Sequence, residues 1–141
     1  MLHSSNLCYV KVISNGEGNS ERDVKPNDAL NGIGTDVLVK FDVSSNIKIP
    51  TLDDKSQRVV DKERPHEIGL GHELVHGIRS MEGKAVDYKI RADYQYFNSK
   101  GQKNKVRESL EELETDDLRG TYRYSENKLR IEHKLGKRGA Y

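Results

Sequence analysis

A chain of 141 residues predicts one domain with a single modest core, and equal 33% shares of charged and hydrophobic residues predict a soluble protein whose core is thin. Lys and Arg number 24 against 23 Asp and Glu, so there is no basic field to support nucleic-acid binding. No apolar run is long enough to span a bilayer, and Met1–Asn6 lacks the charged and apolar regions of a cleavable signal peptide.

Leu7 to Ile13 is rich in β-branched and aromatic residues and predicts a strand. The lone Cys8 within it excludes an intramolecular disulfide and reads as a packing residue of a reducing compartment. Asn15 to Asn31 carries clusters of Gly, Asn and Ser around Pro26 and predicts a mobile loop. Residues 1–31 are thus expected to precede the main body at 32–141 as a strand and a loop. Val37, Val39, Phe41 and Val43 alternate with Asp36, Leu38, Lys40 and Asp42, the period of a half-buried strand. Ile47 and Ile49 suggest a short return before Pro50. Thr51 to Arg64 has only Leu52, Val59 and Val60 to bury, and predicts a loop or a short surface helix.

Gly69 to Ile78, Gly-Leu-Gly-His-Glu-Leu-Val-His-Gly-Ile, is the most informative stretch. His72, Glu73 and His76 form a His-Glu-x-x-His pattern, which on a helix offers two imidazoles to one metal with a carboxylate beside them. With His72 at zero, His76 falls at about 40° and Glu73 at about 100°, while Leu70, Leu74, Val75 and Ile78 lie between about 160° and 300°. One face is apolar and the other carries the candidate ligands. Pro65 suits the first turn, Glu67 the positive end of the helix dipole, and Gly83 the position just past the end.

Val86 to Phe97, with three Tyr, predicts a half-buried strand or extended segment. Asn98 to Asn104 is a polar break, and Val106 to Thr115 predicts a second helix with Leu110 and Leu113 on one side. Ser125 is a candidate N-cap for a third helical stretch through Glu126, Leu129 and Ile131. The tail from Gly136 to Tyr141 is too rich in Gly for regular structure, and His66 and His133 are expected on the surface.

Two histidines leave zinc short of a third protein ligand. A His-Glu-x-x-His-x-x-Gly-x-x-His arrangement fails, because Arg79 and Glu82 occupy the Gly and His positions. The alternative is a Glu from a later helix, and Glu108, Glu111, Glu112 and Glu114 cluster in that region. Glu82, Asp87, Glu108, Glu111 and Glu112 all remain open as the third ligand on the residues alone. Ser109-x-x-Glu112 also has capping-box form.

Glu111-Glu112-Leu113-Glu114-Thr115 resembles the Glu-Glu-Leu-x-Thr segment of the clostridial neurotoxin light chains, zinc proteases whose third ligand is the second Glu of that pair. Ser125-Glu126-Asn127-Lys128-Leu129-Arg130 with Arg138-x-x-Tyr141 is more similar still to the NleD-like type III secreted effector metallopeptidases, which share the same zincin core. The resemblance spans about Gly32 to Tyr141, with Asp117 standing where a Gly often follows Thr-x. It implies an α+β zincin-like domain, a small twisted sheet packed on the active-site helix and on a second ligand-bearing helix. It also implies Zn2+ held by His72, His76 and Glu112. Glu73, Arg138 and Tyr141 would be catalytic, with Arg138 polarising the scissile carbonyl and Tyr141 donating a hydrogen bond to it. Glu126 would hold a ligand histidine or Arg138 in place, and Glu111 would support the site or face solvent.

The activity expected from that resemblance is zinc endopeptidase action on host proteins, with mitogen-activated protein kinases of the JNK and p38 groups as the associated substrates. The protein would be a monomer, delivered by a bacterial secretion system without a cleavable signal peptide and acting in the host cytoplasm. An extended substrate is expected to add antiparallel to an edge strand at Asp36 to Val43. The contrasting expectation is a zinc-binding or kinase-docking module without turnover, against which the retained Glu73 speaks.

Overall fold

The computed structural model describes residues 5–120 and 122–141. Met1–Ser4, on which most of the signal-peptide expectation rests, and Thr121 lie outside the described residues. The elements in chain order are β1 (Cys8–Ile13), β2 (Ser20–Asp23), α1 (Pro26–Leu30), β3 (Val37–Asp42), β4 (Lys48–Asp53), β5 (Arg58–Glu63), α2 (His66–Met81), β6 (Arg91–Phe97), β7 (Lys103–Ser109), α3 (Leu110–Asp116) and α4 (Glu126–Glu132). They gather into two compact units, one made of residues up to Ser45 with Gly69–Asp87, the other of Asn46–Ile68 with Tyr88–Tyr141. No helix among the described residues is long and apolar enough to cross a membrane.

The first unit contains a three-stranded sheet in the order β1-β3-β2, with β1 parallel and β2 antiparallel to β3. The alternation of β3 is as expected, and Val37 and Val39 are fully buried. Its position is not. Both edges of β3 are paired, so it offers no free edge to an extended substrate, and the expectation of augmentation at Asp36–Val43 is corrected. The cause lies in the segment expected to be a mobile loop. Ser20–Asp23 pairs with Val37–Lys40, and Pro26 starts the short helix α1. Side chains stitch the turn before β2 to the far end of β3: Asn19 Oδ1 accepts the Asp42 N–H at 2.8 Å, and Asp42 Oδ2 accepts the Gly18 N–H at 2.8 Å.

Within this unit α2 approaches the sheet at Gly77, where an added Cβ would stand 3.2 Å from Val37 Cγ2. The end of α2 is docked too. Gly34, at φ +81°, lies so close to the helix terminus that a Cβ there would collide with the Met81 carbonyl oxygen, and the Gly32 N–H donates to the Gly83 carbonyl at 2.9 Å. The loop leading into β3 therefore fixes the helix that carries the His-Glu-x-x-His pattern.

The second unit is built from two hairpins and two short helices. β4 and β5 pair antiparallel across Leu52 and Val59, where a loop or surface helix was expected. Charged, exposed Arg58, Asp61, Lys62 and Glu63 hid the strand, since Val59 is its one fully buried residue. β6 pairs with β7 so that Tyr94 faces Val106. Residues 106–109, expected to open the second helix, thus complete a strand, and the helix begins at Leu110. Val59, Tyr94, Leu113 and Ala140 form the core, flanked by Leu52, Ala92, Tyr96, Val106 and Leu118.

The Gly-rich tail does not fray. Arg138 bridges Thr51, the Leu52 N–H donates to the Lys137 carbonyl at 2.7 Å, and the Gly139 N–H donates to the Pro50 carbonyl at 3.1 Å, so the tail runs as a third strand segment beside β4. Asp117 caps α3 in the left-handed region at φ 65°, doing with a short polar side chain what Gly does elsewhere. Ser125 caps α4 as expected, its side chain accepting the Lys128 N–H at 3.2 Å.

Candidate metal centre

His72 and His76, one turn apart on α2, are 5% and 3% exposed. Their Nε2 atoms lie 3.2 Å apart, with ring planes inclined at 74°. Two imidazole nitrogens bound tetrahedrally to one zinc at its usual bond length would be separated by about 3.3 Å. The spacing fits a chelating pair, and imidazole is a donor that zinc takes. Glu73 follows His72 on the same helix and is half-buried. His66 and His133 are exposed, as expected.

Beside this pair stands a group that sequence reasoning missed. Glu21 on β2 sits over Gly77, its Cγ 4.0 Å from where a Cβ would be. Its carboxyl is pushed up to about 8 by burial, by the charge and hydrogen bond of Asp23 and by Glu73, with His76 pulling the other way. The segment's loop-like composition concealed it; only recognition of β2 would have put Glu21 and Asp23 on one face.

The second unit holds a buried ionic cluster. Arg138 Nη1 lies 3.1 Å from both Asp116 Oδ1 and Glu126 Oε2, while the other oxygen of Glu126 accepts from Arg130 Nε at 2.7 Å. Glu126 thus pairs with both Arg138 and Arg130, and Asp116 adds a second carboxylate to Arg138. Burial works against the charge on Arg138, but Asp116 and Glu126 outweigh it and its pKa rises. The guanidinium carbon stands 4.8 Å above the Tyr141 ring. Tyr141 has its phenol pKa raised, by burial first and then by the charge of Glu112, so the hydroxyl keeps its proton.

Glu112 is partly buried on α3. It does not complete a capping box, because the Ser109 side chain makes no cap bond and the Ser109 N–H goes to Glu108 Oε1 at 2.7 Å. Among the rivals, Glu108 is also 3.4 Å from Arg91 and Glu82 is 3.4 Å from Lys84. Glu111 is 1% exposed, which removes the solvent-facing alternative for it. Asp87 lies outside the regular elements, between α2 and β6.

No curated protein matches this chain. Among solved structures, the apo, zinc-removed botulinum neurotoxin type C light chain superposes with a TM-score of 0.50 at 14% identity, over 75% of this chain and 27% of that one. The botulinum neurotoxin serotype C1 light chain protease gives 0.49 at 14%, over 74% and 27%. The chain therefore spans about a quarter of the length of those structures, and the likeness is one of fold, the expected α+β zincin-like architecture. Residues 10–141 match the Peptidase M91 family, described as effector protein, so nearly the whole chain is accounted for and the protein belongs to the M91 peptidase family of effectors.

Proposed function

We propose that the protein is a zinc-dependent endopeptidase whose metal is held by His72, His76 and Glu112, within a single peptidase domain that includes β1 and β2. The observation that carries this reading is the 3.2 Å separation of two buried imidazole nitrogens on the helix that also bears Glu73. Zinc, when bound there, supplies the Lewis-acid charge that polarises a peptide carbonyl and acidifies water. Glu73 takes the proton of the attacking water and delivers it to the leaving amine. Arg138 meets the negative charge developing on the carbonyl oxygen, and Tyr141, its hydroxyl kept protonated, donates a hydrogen bond to the same atom. Glu126 and Asp116 hold the Arg138 guanidinium, and Glu111 supports α3 from within.

Membership of an effector family favours a host protein as substrate, and resemblance to NleD-like members points to kinases of the JNK and p38 groups. Secretion without a cleavable signal peptide, action in the host cytoplasm and a monomeric state belong to the same reading. Glu73→Gln tests it. The variant should retain one zinc per chain by metal analysis and lose cleavage of a kinase substrate by at least about a hundredfold. Undiminished cleavage would remove Glu73 from the mechanism.

A further inference from the structure

Resting on the reading of Arg138 and Tyr141 as substrate-facing groups, we infer that Asn127 and Tyr94 are positioning residues that clamp the backbone of these two. Asn127, 5% exposed on α4, accepts the Arg138 N–H at 2.6 Å through Oδ1 and donates from Nδ2 to the Arg138 carbonyl at 3.1 Å. A side-chain amide here makes the two-way exchange that a neighbouring strand would make. At the other end, the Tyr94 hydroxyl accepts the Tyr141 N–H at 2.8 Å and lies 3.5 Å from the Tyr141 carbonyl. The Tyr94 ring is packed in the core with Val59, Leu113 and Ala140 and stacked on Tyr96 at 6.0 Å, so its hydroxyl is fixed.

Between the clamps, Arg138 Nε donates to the Ala140 carbonyl at 3.0 Å. The guanidinium is thereby folded over the Tyr141 ring. Core packing alone would be served by Phe at position 94 and an apolar residue at position 127. Instead, the hydroxyl of Tyr94 and both polar atoms of Asn127 are directed at the backbone of Arg138 and Tyr141. Pairing with β4 holds the segment at Lys137 and Gly139, and the Asn127 and Tyr94 bonds add the constraints on the backbone of Arg138 and Tyr141 themselves.

The test uses the zinc-loaded protein and three readouts: amide hydrogen exchange at residues 138 and 141, the ring-current shift of the Arg138 side-chain protons, and calorimetric titration with acetohydroxamate. In Tyr94→Phe the Tyr141 amide should exchange roughly tenfold faster and the Arg138 shift should collapse. Acetohydroxamate should bind about tenfold more weakly, at unchanged zinc content and with the fold retained by circular dichroism. Asn127→Leu should do the same through the Arg138 amide. Unchanged exchange and an unchanged ring-current shift in Tyr94→Phe would overturn the inference. If Arg138→Lys and Tyr141→Phe bind acetohydroxamate normally, the substrate-facing reading fails and the inference with it. If those two weaken binding and Tyr94→Phe does not, the inference alone fails.

Discussion

Replacing Glu126 with Gln should destabilise the protein far more than the change of one atom suggests. Glu126 and Asp116 are fully buried, and the side chains of Arg130 and Arg138 are 3% and 7% exposed, so two cations and two carboxylates share a space that water barely reaches. Gln preserves volume but leaves two guanidinium groups facing one carboxylate, and its amide turns a donor toward one of them. Breaking a buried pair in this way costs about 3–5 kcal/mol. A domain of this length has on the order of 7–20 kcal/mol in all, and the loss should lower Tm by roughly 6–20 °C. Thermal and urea unfolding of Glu126→Gln, Arg138→Leu and the double variant measure it. Arg138→Leu alone leaves surplus negative charge, whereas the double variant restores one cation to one anion. The double variant should therefore be at least about 2 kcal/mol more stable than the summed single effects predict. Additivity within about 0.5 kcal/mol would refute the cluster as an energetic unit.

Glu112→Ala should lose zinc on dialysis while keeping its fold by circular dichroism; retention of one zinc per chain would exclude Glu112 as the third ligand. Gly34→Ala should cost about 3 kcal/mol or more by chemical denaturation, since its Cβ meets the Met81 carbonyl and its φ is +81°; a change under 1 kcal/mol would show that the loop yields. In metal-free protein, Glu21 has a folded pKa of about 8, above its unfolded value, so the native state binds the extra proton and stability falls as pH rises from about 4.5 through 8. Glu21→Gln should flatten that slope, gaining on the order of 2–4 kcal/mol at pH 9 over wild type and nothing near pH 4, as read from urea midpoints; parallel pH profiles would contradict the buried environment of Glu21.

What could be read from the sequence was what is encoded locally. The wheel of α2 places His72 and His76 on one face within a turn, and Ser125 caps α4 with a bond three residues long; neither needs a distant partner to be recognised. β2 and β5 are different. Ser20–Asp23 and Arg58–Glu63 are charged strands held by pairing to β3 and β4, and their own residues carry no strand period. The loop-like composition of Ser20–Asp23 makes β3 look like an edge strand and conceals Glu21 beside α2. Glu126 was found by resemblance alone, while Asp116, Asn127 and Tyr94 act through partners 22, 11 and 47 residues away, separations that no local pattern reports.

Among the described residues, more polar than apolar side chains are buried. A core as small as Val59, Tyr94, Leu113 and Ala140 would gain from apolar replacements in its surroundings, because buried ion pairs are often no more stabilising than hydrophobic residues of similar volume. The Asp116, Glu126, Arg130 and Arg138 cluster is therefore poorly explained as a device for stability. It is well explained as a device for orientation, since each guanidinium is held by bonds whose directions are fixed. A variant in which all four are replaced by apolar residues of matching volume should melt no lower than wild type and yet cleave nothing. If it remained folded and active, the charges would have neither use, and the assignment of Arg138 to the developing oxyanion would fall.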